Sequence, residues 1–312
     1  MHTKTLYKYV RDPNLFLEGF YIRATQLSAL NDPFEAKFSK KGVEKGREYY
    51  DLPIYSDQIE GEQNKVGVVC LSESKDNLLM WSHYANEHKG CVLGFTVAPQ
   101  ESSHIFLNAF RFFECYTREK SSSFDGNFYP VSYRKQRRYS HDILESLVCD
   151  FLFDNDEVLI QEVFQVKSDE WMYEKEHRAI LPLAEADKIV IPVELLENFK
   201  SAFPEEEELD NFCNITADQK SIEFYMTKME PEKRKNVGWY LSGLSRDPRV
   251  LFLFKVSKLC LNSITFGCNG ESVQLLESEE GYFNNVYPRI YQATISDDYF
   301  ALDFYQIELE RE

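Results

Sequence analysis

The sequence predicts an α+β fold, a mixed and strongly twisted β-sheet core with flanking helices and long insertions, and three observations lead there. Short β-branched or aromatic runs recur along the chain, at residues 5–10, 66–71, 91–97 and 250–256. Segments with apolar residues at helical spacing lie between them, as at 77–90 and 143–166. Polar stretches around 36–65 and 200–236 carry neither pattern and are not bounded by Gly/Ser or Pro linkers, so they read as insertions in a single domain spanning 1–312.

The elements follow in order. In 5–10, Leu6 and Lys8 alternate with Tyr7 and Tyr9, a first strand with aromatic residues on one face. Asp12 before Pro13 reads as an N-cap and a helix-starting proline, and 21–24 as a second strand. In 27–35, Pro33 biases Asp32 away from helical geometry, giving a turn that presents Asn31, Asp32 and Glu35 together. Residues 36–65 read as a surface excursion with some helix, anchored by Tyr49, Tyr50 and Tyr55, and serve either as a lid or as a passive insertion. Residues 66–71 and 91–97 are buried strands, and between them 77–90 reads as a helix of about four turns, capped by Asp76 or Asn77 and stopped by a left-handed Gly90.

Beyond the turn at 125–127, four basic residues crowd 133–138, and Ile143, Leu147 and Phe151 recur at helical spacing in a pattern that runs to Val166. Residues 168–183 begin as a capped turn and end as a strand from Arg178 onward. The segments 204–210 and 228–235 read as solvated charged faces, and 264–267 and 299–307 as closing strands.

Composition bounds function. Thirty-five basic against 52 acidic residues give a net charge of −17, which works against loose phosphate-backbone binding as the main purpose of the surface but leaves room for a local basic pocket. No apolar leader region opens the chain and no run approaches membrane-spanning length, so a cytoplasmic protein without membrane contact is expected. Seven cysteines with no CxxC pair predict reduced thiols and no structural metal. Gly-x-Gly-x-x-Gly, P-loop, Gly-x-Ser-x-Gly and His-Glu-x-x-His motifs are all missing from the sequence.

Three constellations remain. On the 77–90 helix, Trp81, Tyr84, Ala85 and His88 share one face, and His83 and Glu87 at i, i+4 suit either a carboxylate-held base or a structural pair. Two histidines five apart disfavour a metal-binding helix. Glu174, Glu176 and Arg178 project from one face of an extended segment, where they would perturb one another's pKa values or simply form an exposed strand end. Asn31 and Asp32 beside the Tyr7/Tyr9 strand suit a polar, ring-containing ligand, or cap their own turn.

The blocks Leu6-Tyr-Lys-Tyr9, Leu30-Asn-Asp-Pro-Phe-Glu35, Cys70-Leu-Ser72, Met80-Trp-Ser-His-Tyr-Ala85 and Trp171-Met-Tyr-Glu-Lys-Glu-His-Arg178 resemble a large, mostly bacterial domain-of-unknown-function family, family 2971. The layout also resembles, more loosely, the ADP-ribosyltransferase fold. That second resemblance implies NAD, with Tyr7 or Lys8 on the first strand, Ser72 near the central one and Glu176 or Glu174 in the late acidic position; the constellations above add Tyr9, Asn31, Asp32, Trp81 and Tyr84 as stacking and polar contacts and His83 and Arg178 beside the key carboxylate Glu176. It further implies a toxin or anti-phage effector that modifies a nucleic-acid or protein acceptor, with room for an operon-encoded partner protein. Unlike those transferases, this sequence has no Ser-Thr-Ser run and no matching first-strand His or Arg. Two rival expectations stand beside it: a non-catalytic nucleotide- or metabolite-sensing module, and a hydrolase or nuclease in which Asp32, Glu35, His83 and Glu176 hold a divalent metal.

Overall fold

The computed structural model describes residues 4–50, 55–97, 105–107, 126–137, 156–203, 211–270 and 288–308. Within them the chain is mixed α+β with one large mixed sheet, as the sequence predicts.

The first half runs β1 (Lys4–Val10), α1 (Pro13–Leu17), β2 (Tyr21–Gln26), α2 (Lys40–Tyr50), α3 (Ser56–Gln63), β3 (Val66–Ser72), α4 (Leu78–Tyr84) and β4 (Cys91–Val97). Then come β5 (Tyr129–Pro130), β6 (Ser132–Arg134), α5 (Asp156–Phe164), β7 (Val166–Ser168), a 3-10 segment (Asp169–Glu174), β8 (Glu176–Pro182) and β9 (Lys188–Pro192). The remainder is α6 (Leu196–Ala202), β10 (Cys213–Ile215), β11 (Ser221–Tyr225), α7 (Pro231–Ser242), β12 (Leu251–Lys255), β13 (Leu261–Phe266), β14 (Arg289–Ile295) and β15 (Leu302–Ile307).

The large sheet has the order β10-β11-β9-β12-β2-β3-β1-β4-β13-β14-β15, with β8 and β5 branching from β3. The branch sets up everything that follows. On one edge β3 pairs along its full length with β8, from Val66 opposite Pro182 to Ser72 opposite Glu176. On its other edge it meets two strands in succession: β2 at Val68 and Gly67, and β1 only at Ser72, opposite Tyr7. The sheet therefore splits between β1 and β2, and the Cys70 carbonyl at the split takes a hydrogen bond from Lys8 Nζ at 3.1 Å in place of a strand neighbour.

One face of the sheet packs the main core, including Leu6, Leu71, Phe95, Ala179, Ile189, Phe224, Phe252 and Ile264. The opposite face carries two separate covers. Ala36, Phe38 and Val43, Ile59 of α3, and Ile160, Val163 and Phe164 of α5 lie over Val66, Val68 and Ile180 of the β3/β8 pair. Met80, Trp81 and Ala85 from α4 and the turn after it lie over Tyr9 and Val92 of β1 and β4. Alternation in β3 makes both packings work, because its odd and even positions feed opposite faces.

Several expectations change. The 36–65 stretch is two helices anchored by Phe38, Val43 and Ile59, whereas Tyr49 and Tyr55 are exposed. The 77–90 helix is one of seven residues, not four turns: Asn77 caps it by accepting from Met80 N at 3.1 Å, and Asn86, Glu87 and His88 then adopt left-handed φ of 48°, 53° and 67°. Gly90 is not the left-handed residue. It is required because a Cβ there would sit 2.2 Å from the Val10 carbonyl oxygen. The described part of the 143–166 pattern is α5 up to Phe164, with Val166 already the start of β7, and Ile143, Leu147 and Phe151 lie outside the described residues, as does 204–210. The last strand begins at Leu302, with Tyr299 and Phe300 exposed ahead of it.

Candidate functional site

The two covers leave a gap over the split, and it forms a cavity of about 290 Å³. Adjacent strand residues normally face opposite ways, yet Tyr7, Lys8 and Tyr9 all border it because β1 has a free edge there. Tyr7 has room for its ring because its β4 neighbour is Gly94, where a Cβ would come within 3.3 Å of Tyr7 Cε1 and 2.3 Å of Ser263 Oγ. From α4 come Met80, His83 and Tyr84, from the turn Asn31 and Glu35, and from β3 Cys70 and Ser72.

The floor is a buried charge cluster. Lys167 Nζ sits 2.6 Å from Glu174 Oε2, 3.1 Å from Glu35 Oε1 and 3.3 Å from Glu176 Oε2. Arg178 grips Glu176 with two nitrogens, Nε at 2.7 Å and a terminal nitrogen at 3.0 Å. The same guanidinium donates to Glu35 Oε2 and, at 2.7 Å, to the Phe164 carbonyl of α5. All five side chains are at least 94% buried, so three carboxylates face two cations with little water between them.

This composition gives the carboxylates different characters. Burial works to raise Glu176, but Arg178 and then Lys167 overcome it and hold the group at about 2. Glu174 goes the other way: burial raises it, Lys167 opposes, and the charge of Glu176 adds to the rise. Lys167 is raised despite burial because Glu176, Glu35 and Glu174 surround it. Glu174 is also where the cluster meets α4, since Tyr84 Oη donates to Glu174 Oε1 at 2.7 Å and itself accepts from Asn31 Nδ2 at 3.1 Å. Burial raises Tyr84 strongly, with Glu174 adding to it, so it remains a neutral donor. Ser72 Oγ donates to the Glu174 carbonyl at 2.7 Å, and Tyr133 Oη accepts from the Glu176 amide at 2.8 Å, fixing the backbone of both.

The structure thus brings together Tyr7, Lys8, Tyr9, Asn31, Ser72, His83, Tyr84, Glu174, Glu176 and Arg178, all named from sequence. It does not bring Trp81 or Asp32. Trp81 is fully buried, edge-on to Tyr9 and stacked on His88, with its indole N–H given to the Lys75 carbonyl, so it offers no face to a ligand. Asp32 is buried and accepts from Phe34 N at 2.9 Å, capping its own turn. The His83–Glu87 pairing fails because α4 ends before Glu87, which turns left-handed. The residues expected to hold a metal are otherwise engaged: the Glu35 and Glu176 oxygens point at Arg178 and Lys167, and among the described residues no three His, Cys, Asp or Glu side chains are grouped for an ion. Sequence reasoning missed Lys167 altogether. The signal was charge balance, since three converging carboxylates against Arg178 alone require another buried cation.

The fold and site define an α+β protein with a sheet-split cleft over a buried floor of three carboxylates and two cations. Residues 80–179, which run from Met80 on α4 through Glu174, Glu176 and Arg178, match a family described as protein of unknown function (DUF2971), and the match takes in the 80–85 and 171–178 blocks. No curated protein and no solved structure matches the chain. No described helix is long and apolar enough to cross a membrane.

Proposed function

We propose that the cleft is the site of an ADP-ribosyltransferase-like enzyme that takes NAD as its nucleotide substrate. The observation that carries this reading is the buried carboxylate cluster beneath the cavity: Glu35, Glu174 and Glu176 converge on Lys167 and Arg178, while Lys8 and Arg11 line the same cavity. Such a floor is complementary to positive charge above it, and carboxylates preorganised beneath the ribose stabilise a transition state in which that charge moves from the pyridinium ring onto the sugar. NAD would supply a glycosidic bond whose breaking places positive charge on the ribose.

The chain's own residues fit that ligand. The Tyr7 and Tyr84 rings border the cavity as apolar walls for a flat ring, and Lys8 and Arg11 border it as cations suited to phosphate. A cavity of about 290 Å³ accommodates a ring and a sugar, with the phosphates toward the open side. In place of Glu176, the carboxylate the resemblance singles out, we take Glu174 as the reacting carboxyl: one of its oxygens is held by Lys167 and the other by the neutral Tyr84 hydroxyl, whereas both Glu176 oxygens are gripped by Arg178. Arg178 and Lys167 act as positioning residues, and Tyr84 orients Glu174 and Asn31 orients Tyr84.

The test is nicotinamide release from NAD by purified protein, alone and with nucleic acid or lysate protein as acceptor. Release that falls 100-fold or more in Glu174→Gln supports the reading. No release with any acceptor, or release undiminished in Glu174→Gln, overturns it. Stabilisation by NAD in thermal unfolding without release would instead favour a sensing module.

A further inference from the structure

Beside the cleft lies a second opening, of about 680 Å³, whose charge contradicts that of the rest of the chain. Lys37, Lys40, Lys41 and Arg137 line it against the single carboxylate Glu60, in a protein of net charge −17. Glu60 pairs with Lys40 at 2.7 Å, and among the described residues no ion pair engages Lys37, Lys41 or Arg137. Ser39 and the first turn of the eleven-residue α2 open into the same groove, adding the positive end of a helix. At its rim Phe34 is 64% exposed, with the Arg137 guanidinium 6.0 Å from its ring centre.

We infer that this groove holds a single-stranded nucleic acid, with the phosphodiester chain on Lys37, Lys41 and Arg137 and a base stacked on Phe34. Cations tracking a backbone beside an exposed aromatic ring are what sequence-tolerant single-strand binding requires, since a phosphodiester chain offers a charge and a stacking base at every step. Both walls grow out of the cleft. Glu35 of the floor is two residues from Lys37, at most about 7 Å of backbone. Arg137 follows β6, whose Tyr133 is in register with Lys167 and holds the Glu176 amide. A strand in the groove therefore runs past the cleft mouth, where its bases or ends are the acceptor. That acceptor role rests on the transferase reading, while the binding does not.

The test is fluorescence anisotropy of the full chain with labelled 12-nucleotide single strands of DNA and of RNA. Three phosphate contacts predict a log–log salt slope of about −2. Lys37→Ala/Lys41→Ala should reduce it to about −1 and weaken binding at least 10-fold. Phe34→Ala should weaken binding about 10-fold, with Phe34→Trp restoring it. Because these side chains are exposed, folding is checked simply by an unchanged melting temperature. Absence of binding by either strand at low salt, binding unaltered in the variants, or polyglutamate binding in place of the oligonucleotides would each overturn the inference. Oligonucleotide binding without nicotinamide release upholds the groove while removing the transferase reading, and a binding failure beside intact NAD cleavage does the reverse.

Discussion

Replacing Lys167 with methionine tests the charge cluster most severely. The side chain keeps an unbranched apolar stem and loses its ammonium, leaving Glu35, Glu174 and Glu176 with Arg178 as the counter-charge of the cluster. Each contact at 2.6–3.3 Å contributes about 5–6 kcal/mol gross at an effective dielectric near 20, and ammonium desolvation offsets several of those. Removing one partner of such a network costs about 3–5 kcal/mol, because the remaining charges stay buried and unpaired. At about 2 °C per kcal/mol for a chain of this length, the melting temperature at pH 7.5 should fall by about 6–10 °C. The pH dependence gives the sign. In the wild type, Glu176 is depressed to about 2, so its stabilisation is present above the unfolded carboxylate pKa and is lost only as pH falls through about 2. In Lys167→Met, Glu174 and Glu176 lose the ammonium that lowers them and move upward, so their penalty is relieved as they protonate, and the variant should recover part of its loss as the pH is lowered from 7.5 toward the unfolded carboxylate range. Thermal unfolding across that range is the assay. A loss under about 1 kcal/mol, or a loss of equal size at every pH, would refute the claim that Lys167 balances three buried carboxylates.

Glu174→Gln should leave stability at pH 7.5 unchanged or higher, since burial and Glu176 raise the native carboxyl and its ionisation opposes folding above the unfolded pKa. Urea titration of the variant checks this, and a loss above about 2 kcal/mol would contradict it. Trp81→Ala should cost about 3–5 kcal/mol as a core truncation, yet leave NAD affinity of the folded protein within about twofold, as calorimetry would show. Gly90→Ala should destabilise by more than about 2 kcal/mol, because the added Cβ meets the Val10 and Arg11 carbonyl oxygens at 2.2 and 2.9 Å; a neutral effect on the unfolding midpoint would show that the turn has slack.

What could be read in advance depended on the range of the determining forces. β1, β3, β4 and β12 were legible because alternation and β-branching are local signals. β11 carries the same local signal, since Ile222 and Phe224 are buried between half-exposed Ser221, Glu223 and Tyr225, but surrounding charge obscures this period of two. The length of α4 was not legible, since Asn86, Glu87 and His88 have no glycine among them and turn left-handed only because the chain must re-enter β4 between Val10 and Gly267. The candidate site was half visible. Motif spacing placed Glu174, Glu176 and Arg178 on one face, but Trp81 looked like a ligand platform until the Tyr9 and His88 rings were seen to enclose it. Lys167 and the covering role of 36–65 depend on contacts between distant segments, as with Ala36, Phe38 and Ile59 over Val68 and Ile180, and no local pattern announces them.

The central claim is that Glu174, poised on the buried charge cluster, is the reacting carboxyl while Glu176 holds the cluster together. Nicotinamide release from NAD in wild type, Glu174→Gln and Tyr84→Phe measures it most directly. The account predicts release by the wild type, a loss of 100-fold or more in Glu174→Gln, and a loss of about 10-fold in Tyr84→Phe, which removes one hydrogen bond to a charged group. Release by the folded Glu174→Gln variant at the wild-type rate would contradict it.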